Sequence, residues 1–211
     1  MDLVLFGIQG SGKGTLAKRI AEKHGFIVFE MGGELRKLSQ QNSPLGQKVK
    51  SIIEAGHLVP DEVVMDIIEN FMKDLPSGKN IIFDGIPRKM GQAIAFENLM
   101  QRLNRSYIGI LVDVPKEVAI KRLSTRRICV GCKTVFPGSY SKENCEKCGG
   151  KLTVRSDDNP ASIRTRIDGY FNETISVIER YKKSHKMITI NGDQSMDAVA
   201  GEAIKKLKTL L

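Results

Sequence analysis

The chain has 211 residues, of which 41% are hydrophobic, so it can bury a core and is not a disordered polymer. Its longest apolar runs are far too short to span a bilayer, which excludes a membrane-spanning class. The net charge of +9 suits anionic partners but does not choose among nucleotides, nucleic acid and a lipid surface.

The opening Met1-Asp2-Leu3-Val4-Leu5-Phe6 has no basic stretch before its apolar run. It reads as a buried strand over residues 3–6 and not as a secretion signal, so a cytoplasmic location is expected. Gly7-Ile8-Gln9-Gly10-Ser11-Gly12-Lys13-Gly14-Thr15 follows, and then Leu16, Ala17, Ile20 and Ala21 at helical spacing up to His24-Gly25. A glycine-rich loop between a strand and a helix is a phosphate cradle: the glycines turn backbone N–H groups inward, the helix N-terminus adds partial positive charge, and Lys13 adds a full one. A bound nucleoside triphosphate is the expectation. The residue after Lys13 is Gly14, where most such loops carry the serine or threonine that holds magnesium; Thr15 comes one place later.

Residues 27–29 read as a second strand and 34–39 as a helix. Pro44 starts another helix, carrying Val49, Ile52 and Ile53 to Gly56, and Pro60-Asp61-Glu62 opens the next with acids suited to its dipole. After the turn Pro76-Ser77-Gly78, residues 80–83 form a strand ending at Asp84-Gly85-Ile86-Pro87-Arg88. Asp84 at a strand's carboxyl end can position magnesium, and Arg88 can grip a phosphate with two parallel bonds. Alone, Asp84-Gly85 is also an ordinary turn. A helix over 91–103, a strand over 107–112 and a helix over 115–126 come next. Helical periodicity then fails from 128 to 154, marking an insertion. It returns at Ala161 and runs through Ile167, Phe171, Ile175 and Ile178 towards Tyr181. A strand over 187–190 and a helix over 196–211 close the chain. Strands alternating with helices predict a parallel sheet covered by helices, with ligands at the carboxyl ends of its strands.

All four cysteines lie in the insertion, as Cys129-x2-Cys132 and Cys145-x2-Cys148. In a reducing compartment such pairs favour a metal over disulfides. Four thiolates suit a closed, structural tetrahedral zinc site, and iron is chemically possible with the same donors. His24, His57 and His185 are scattered and suggest no catalytic set, and Arg127, Arg164 and Arg180 read as surface charges.

Gly14 after the loop lysine, the Asp84–Arg88 stretch and the arginines near the insertion together resemble the adenylate kinase family, in its long form with a zinc-bearing lid. The resemblance runs over nearly the whole chain and implies a P-loop three-layer α/β/α fold. It divides the chain into a core (residues 1–29, 60–125 and 162–211), a monophosphate-binding segment (30–59) and a lid (126–161). It implies magnesium-dependent transfer of the terminal phosphate of ATP to AMP, giving two ADP, by a monomer. On the donor side it points to Gly10, Ser11, Gly12, Lys13, Gly14 and Thr15, to Arg122 and Arg126, to Val135 and Phe136 against the base, and to Gln194 beneath it, where the family has lysine. On the acceptor side it points to Arg36, to His57, Leu58 and Val59 closing over the base, to Gly85, Ile86, Pro87 and Arg88, and to Gln92 reading the adenine edge. Without the resemblance, Leu58 and Val59 read as core packing. Lys13, Arg88, Arg122, Arg155 and Arg166 are expected to surround the transferred phosphate, Asp84 to serve magnesium, and Asp157 and Asp158 to latch the lid. Met31 stands where the family has a threonine facing the acceptor, which removes a hydroxyl from the readout. The alternatives are a kinase of CMP, UMP or GMP, favoured by Met31, and a nucleic-acid-binding ATPase. The latter is opposed by an aromatic content of 6% with no tryptophan. No nucleic acid or membrane partner is expected.

Overall fold

A computed structural model of the protein describes residues 1–208. Five parallel strands form one sheet: β1 (Asp2–Phe6), β2 (Ile27–Glu30), β3 (Ile81–Asp84), β4 (Tyr107–Asp113) and β8 (Met187–Asn191), in the order β2-β3-β1-β4-β8. Strand side chains alternate faces. Leu3 and Leu5 of β1 therefore join one hydrophobic cluster while Val4 and Phe6 join the other. The first cluster is closed by Leu16, Ala17 and Ile20 of α1 (Lys13–His24) and by Val199, Ala203 and Leu207 of α9 (Met196–Lys208). The second is closed by α4 (Asp61–Lys73), α5 (Met90–Arg102), α7 (Pro160–Gly169) and α8 (Ile175–Lys183). Helices on both faces of a wholly parallel sheet make three layers and explain why β1 is apolar at four consecutive positions. The expected α/β/α class is observed. Among the described residues no helix is long and apolar enough to cross a membrane. The expected last helix extends over 209–211, which lie outside the described residues.

At the lower end of the sheet the buried Asp2 accepts from Ile81 N at 2.8 Å and from Arg105 Nε and Nη2, both at 2.7 Å. One carboxylate thus ties β1 to β3 and to the loop before β4. At the upper end the chain leaves β1 towards β2 and β3 on one side, and later adds β4 and β8 on the other. The carboxyl end of β1 is therefore the topological switch point, where a crevice opens.

Two helices differ from expectation. α2 spans Met31–Leu38, three residues earlier at its start, because the buried Met31 anchors it to the core. Its glycines leave room for Arg36: a Cβ on Gly32 would lie 3.1 Å from Arg36 Nη1. The single helix expected from Ala161 to Tyr181 is interrupted by a π-helical turn over Tyr170–Thr174. The wider turn shifts the inward register. Phe171, expected on the apolar stripe, is consequently 45% exposed, and Tyr170 and Thr174 are buried in its stead.

α3 (Pro44–Glu54) begins under a Ser43 cap whose Oγ accepts from Gly46 N. α6 (Lys116–Thr125) leads into the insertion, which is a three-stranded antiparallel sheet of β5 (Arg127–Cys129), β6 (Val135–Phe136) and β7 (Leu152–Thr153), with β5 central. Its core is separate from the two main clusters and consists of Cys129, Phe136, Cys145 and Leu152.

Candidate active site

The loop over residues 7–15 rises from β1 into α1. Gly10 and Gly12 have φ of 88° and 100°, in the left-handed region. A Cβ on Gly10 would lie 2.6 Å from the Ala119 carbonyl oxygen, backbone that cannot move aside, whereas at Gly12 the nearest atom is the flexible Met196 Cε at 2.9 Å and the left-handed backbone is the main cost of a side chain. Lys13 curls over the loop and donates from Nζ to Gly7 O at 2.6 Å, Ile8 O at 3.0 Å and Ser11 Oγ at 3.4 Å. Burial pushes its ammonium down to about 8, and the carboxylate of Asp84 pulls the other way. Burial likewise raises the Asp84 carboxyl, opposed by Lys13. The two groups are therefore felt together at the ends of β1 and β3. Gly14 has a physical reason here: a Cβ at that position would lie 3.3 Å from Asp84 Oδ2, so a side chain there would crowd the carboxylate. The Asp84 carboxylate is a hard oxygen donor of the kind magnesium takes.

β3 ends in a turn with a cis Ile86–Pro87 peptide, which carries Arg88 back over the strand ends. Arg88 Nε donates to Gly85 O at 2.9 Å. Burial lowers the affinity of its guanidinium for a proton, Asp84 opposes this, and the charges of Arg166, Arg36 and Arg155 lower it further. Four arginines from four parts of the chain therefore share one electrostatic neighbourhood. Two carboxylates bridge arginines of this cluster. Asp158 accepts from Arg126 Nε and Nη2 at 2.6 and 2.8 Å and from Arg166 Nη2 at 2.7 Å. Asp157 accepts from Arg155 Nε and Nη2, both at 3.1 Å, and from Arg166 Nη1 at 3.4 Å. Burial alone would raise Asp158, but the bonds and charges of Arg126 and Arg166 bring its carboxyl below the usual range. Arg36 Nη2 bonds Glu30 Oε1 at 2.8 Å. Arg122 lies across the crevice, where its Nη1 donates to Gly192 O at 3.0 Å and to Ser11 O at 3.4 Å.

The remaining expected positions divide. Met31 is buried beside Gly85, Val59 and Ile86 are in the main core, Leu58 is half-buried and His57 is exposed. Phe136 points into the insertion's own core, with its ring 4.3 Å from that of Tyr140, whereas Val135 on the other face of β6 is 40% exposed. Gln194 turns its amide to Asn191 O and Glu202 Oε2, both at 2.9 Å. Of the arginines set aside as surface charges, Arg164 is exposed, Arg180 forms two bonds to Glu97, and Arg127 donates to the Tyr140 carbonyl.

Several residues near the site carried no signal in the sequence. Gln9, with its amide in the orientation its neighbours require, accepts from Arg88 Nη1 at 3.2 Å and donates to Arg166 O at 3.3 Å, so the phosphate loop touches both arginines. Thr174, turned inward by the π-helical turn, donates to Arg88 O at 3.0 Å. Asp61, legible as a helix-start acid and as the end of the stretch likened to the acceptor-closing segment but not as a partner of Gln92, accepts from Gln92 Nε2.

In the insertion the four Sγ atoms lie within 4.8 Å of one another, with Cys129–Cys148 at 3.4 Å and Cys132–Cys145 at 3.5 Å. Zinc–sulfur bonds of about 2.3 Å require sulfurs about 3.8 Å apart in a tetrahedron, so the set fits a zinc ion. A Cβ on Gly150 would lie 2.9 Å from Cys129 Sγ, which explains a glycine at that place.

The adenylate kinase family model matches residues 5–186. Among curated relatives, the adenylate kinase of Kosmotoga olearia is 38% identical, with all of both chains covered. That of Methanocella arvoryzae is 37% identical over 98% of this chain and all of the relative, and that of Archaeoglobus fulgidus 35% identical over 99% and 100%. Coverage that is almost complete, at that identity and on a fold with this loop, shows that the chain belongs to the adenylate kinase family, the ATP:AMP phosphotransferases.

Proposed function

We propose that the protein catalyses the reversible transfer of the terminal phosphate of ATP to AMP, giving two ADP, with the triphosphate on the loop over residues 7–15 and the monophosphate between α2 and the turn over 84–88. The observation that carries this reading is the convergence of Arg36, Arg88, Arg155 and Arg166 on the space beside Lys13 and Asp84. Phosphoryl transfer needs alignment and charge neutralisation more than covalent help. An oxygen of the AMP phosphate forms the new bond to the terminal phosphorus as the bridging oxygen of ATP leaves with its electron pair. That attacking oxygen is already ionised at neutral pH, so no general base is required. Lys13 and the loop amides hold the donor phosphates, Arg88 and Arg36 the acceptor phosphate, and Arg122, Arg155 and Arg166 the group in transit. Asp84 would hold magnesium, which would supply charge neutralisation on the donor phosphates, and Thr15 is assigned to the donor with the rest of the loop.

In the same reading residues 30–59 form the acceptor segment and 126–161 a lid that excludes water, stapled by zinc on its four cysteines and latched through Asp157 and Asp158. Gly10, Ser11, Gly12, Gly14, Arg126, Val135, Phe136 and Gln194 are assigned to the donor. Met31, His57, Leu58, Val59, Gly85, Ile86, Pro87 and Gln92 are assigned to the acceptor. The enzyme acts as a cytoplasmic monomer, in a compartment where thiols stay reduced.

A coupled assay with ATP and a panel of monophosphates tests the proposal. AMP is expected to be the preferred acceptor, because Gln92 is present although Met31 lacks the hydroxyl. Faster turnover of CMP, UMP or GMP would overturn it.

A further inference from the structure

Gln92 is 3% exposed, and its amide is held at both ends. Its Oε1 accepts from the backbone N–H of Arg88 at 2.9 Å, and its Nε2 donates to Asp61 Oδ1 at 2.9 Å. A backbone N–H can only donate and a carboxylate can only accept. Each anchor therefore demands the same orientation of the amide. Reversing it would set NH2 against N–H at one end and C=O against a carboxylate at the other.

That orientation has a chemical consequence. An amide oxygen has a second lone pair and an amide nitrogen a second N–H. A purine with a 6-amino group offers a donor at C6 and an acceptor at N1. A 6-oxo purine offers the reverse, an acceptor at C6 and a donor at N1. An amide free to turn over can serve either, whereas an amide fixed by its neighbours serves only one. We propose that Asp61 is a positioning residue that locks the Gln92 amide and thereby makes the acceptor site select 6-amino over 6-oxo purine monophosphates. The proposal rests on the reading that Gln92 meets the acceptor base.

Two further features support it. Met31, beside Gly85, brings no hydrogen-bonding group to the acceptor side, so more of the discrimination falls on Gln92. The place of Asp61 is also kept clear: a Cβ on Gly91 would lie 2.7 Å from Asp61 Oδ2, and only glycine leaves that carboxylate where it is. The other charge facing Asp61 is Lys89, whose Nζ is 3.8 Å from the same Oδ1. It neutralises the carboxylate without taking the lone pair that Gln92 uses.

The test compares kcat/KM for AMP with that for IMP, which differs from AMP only in this donor–acceptor pattern, in the unmodified enzyme and in Asp61→Ala, Asp61→Asn and Gln92→Ala. The KM for ATP and the Tm of each variant are measured alongside. Asp61→Ala is expected to narrow the AMP preference roughly tenfold, the worth of one hydrogen bond to a charged group, chiefly through the acceptor KM. Asp61→Asn, whose amide oxygen still accepts, is expected to restore most of it. Gln92→Ala should abolish the preference. An unchanged AMP:IMP ratio in Asp61→Ala, with the ratio collapsed in Gln92→Ala, overturns the role of Asp61 and leaves the base-reading role of Gln92 standing. A ratio unchanged in Gln92→Ala overturns both. Equal losses in the Ala and Asn variants, accompanied by a lower Tm, would make Asp61 a purely structural residue and overturn the proposal as well.

Discussion

Lys13 is a cation placed among the carbonyls of Gly7 and Ile8 and the Ser11 hydroxyl, and its burial lowers its pKa from 10.5 to about 8. Between about pH 8 and 10.5 the unfolded chain holds more of this proton than the folded one. Stability from this group therefore rises with pH across that window, and the penalty is fully present below it. A triphosphate on the loop supplies the missing negative charge and restores the ammonium. At pH 8 ATP binding should thus take up a fraction of a proton at Lys13, and at pH 6.5 none. Calorimetric titrations in two buffers of different ionisation heat measure this, and Lys13→Met should remove the uptake; the same uptake in that variant would refute the assignment. At this scale the sequence was legible where chemistry is local. Gly14 was visible as a departure, but its cause, the carboxylate of Asp84 3.3 Å from the missing Cβ, was not. Gln92 and Asp61 were each legible but the bond between them was not, because it joins positions 31 residues apart and leaves no mark in either local pattern.

Elements were legible when their own burial dictated them. β1 announces itself by an unbroken apolar run, β4 by a run interrupted only by Gly109, and α3 by its Pro44 start. The π-helical turn at Tyr170–Thr174 did not, since Phe171 fits a regular helix and only the packing of Thr174 under Arg88 shows the wider turn. The strands of the insertion are two or three residues long, too short for periodicity to register. Two of the four residues in the insertion's core are cysteines. So small a core cannot hold a sheet without a cross-link. The expected outcome is one zinc per purified chain by elemental analysis. Chelation should remove amide-exchange protection from residues 127–153 while the five-stranded sheet keeps its own, because its clusters share no residue with the insertion's. Protection of the insertion that survives complete metal removal would rule out the structural zinc.

Across the whole molecule, the segment proposed to hold the acceptor, residues 30–59, is seated on the helix that follows the insertion, and this contact is a candidate coupling between the two. The Ser162 hydroxyl donates to the Glu54 carbonyl at the end of α3, and Asn159 caps α7 by accepting from Ser162 N at 2.9 Å. Between them Gly56, with φ of 82°, lies so close that a Cβ would sit 2.5 Å from Ser162 O. An alanine there meets two costs, a left-handed backbone and a clash with backbone that cannot rotate away. Gly78 separates them, because its φ is 75° but nothing lies within 4 Å of its Cβ position. Gly78→Ala should therefore cost only the backbone term, about 1 kcal/mol. Gly56→Ala should cost about 2–4 kcal/mol, lowering Tm by roughly 4–15 °C, as the segment shifts off α7. If the seating positions the acceptor site, only Gly56→Ala will raise the KM for AMP, by roughly tenfold or more, with the KM for ATP nearly unchanged. A Gly56→Ala variant that loses stability but keeps its acceptor KM would show that the contact holds the fold together and leaves the geometry of the site to the arginines alone.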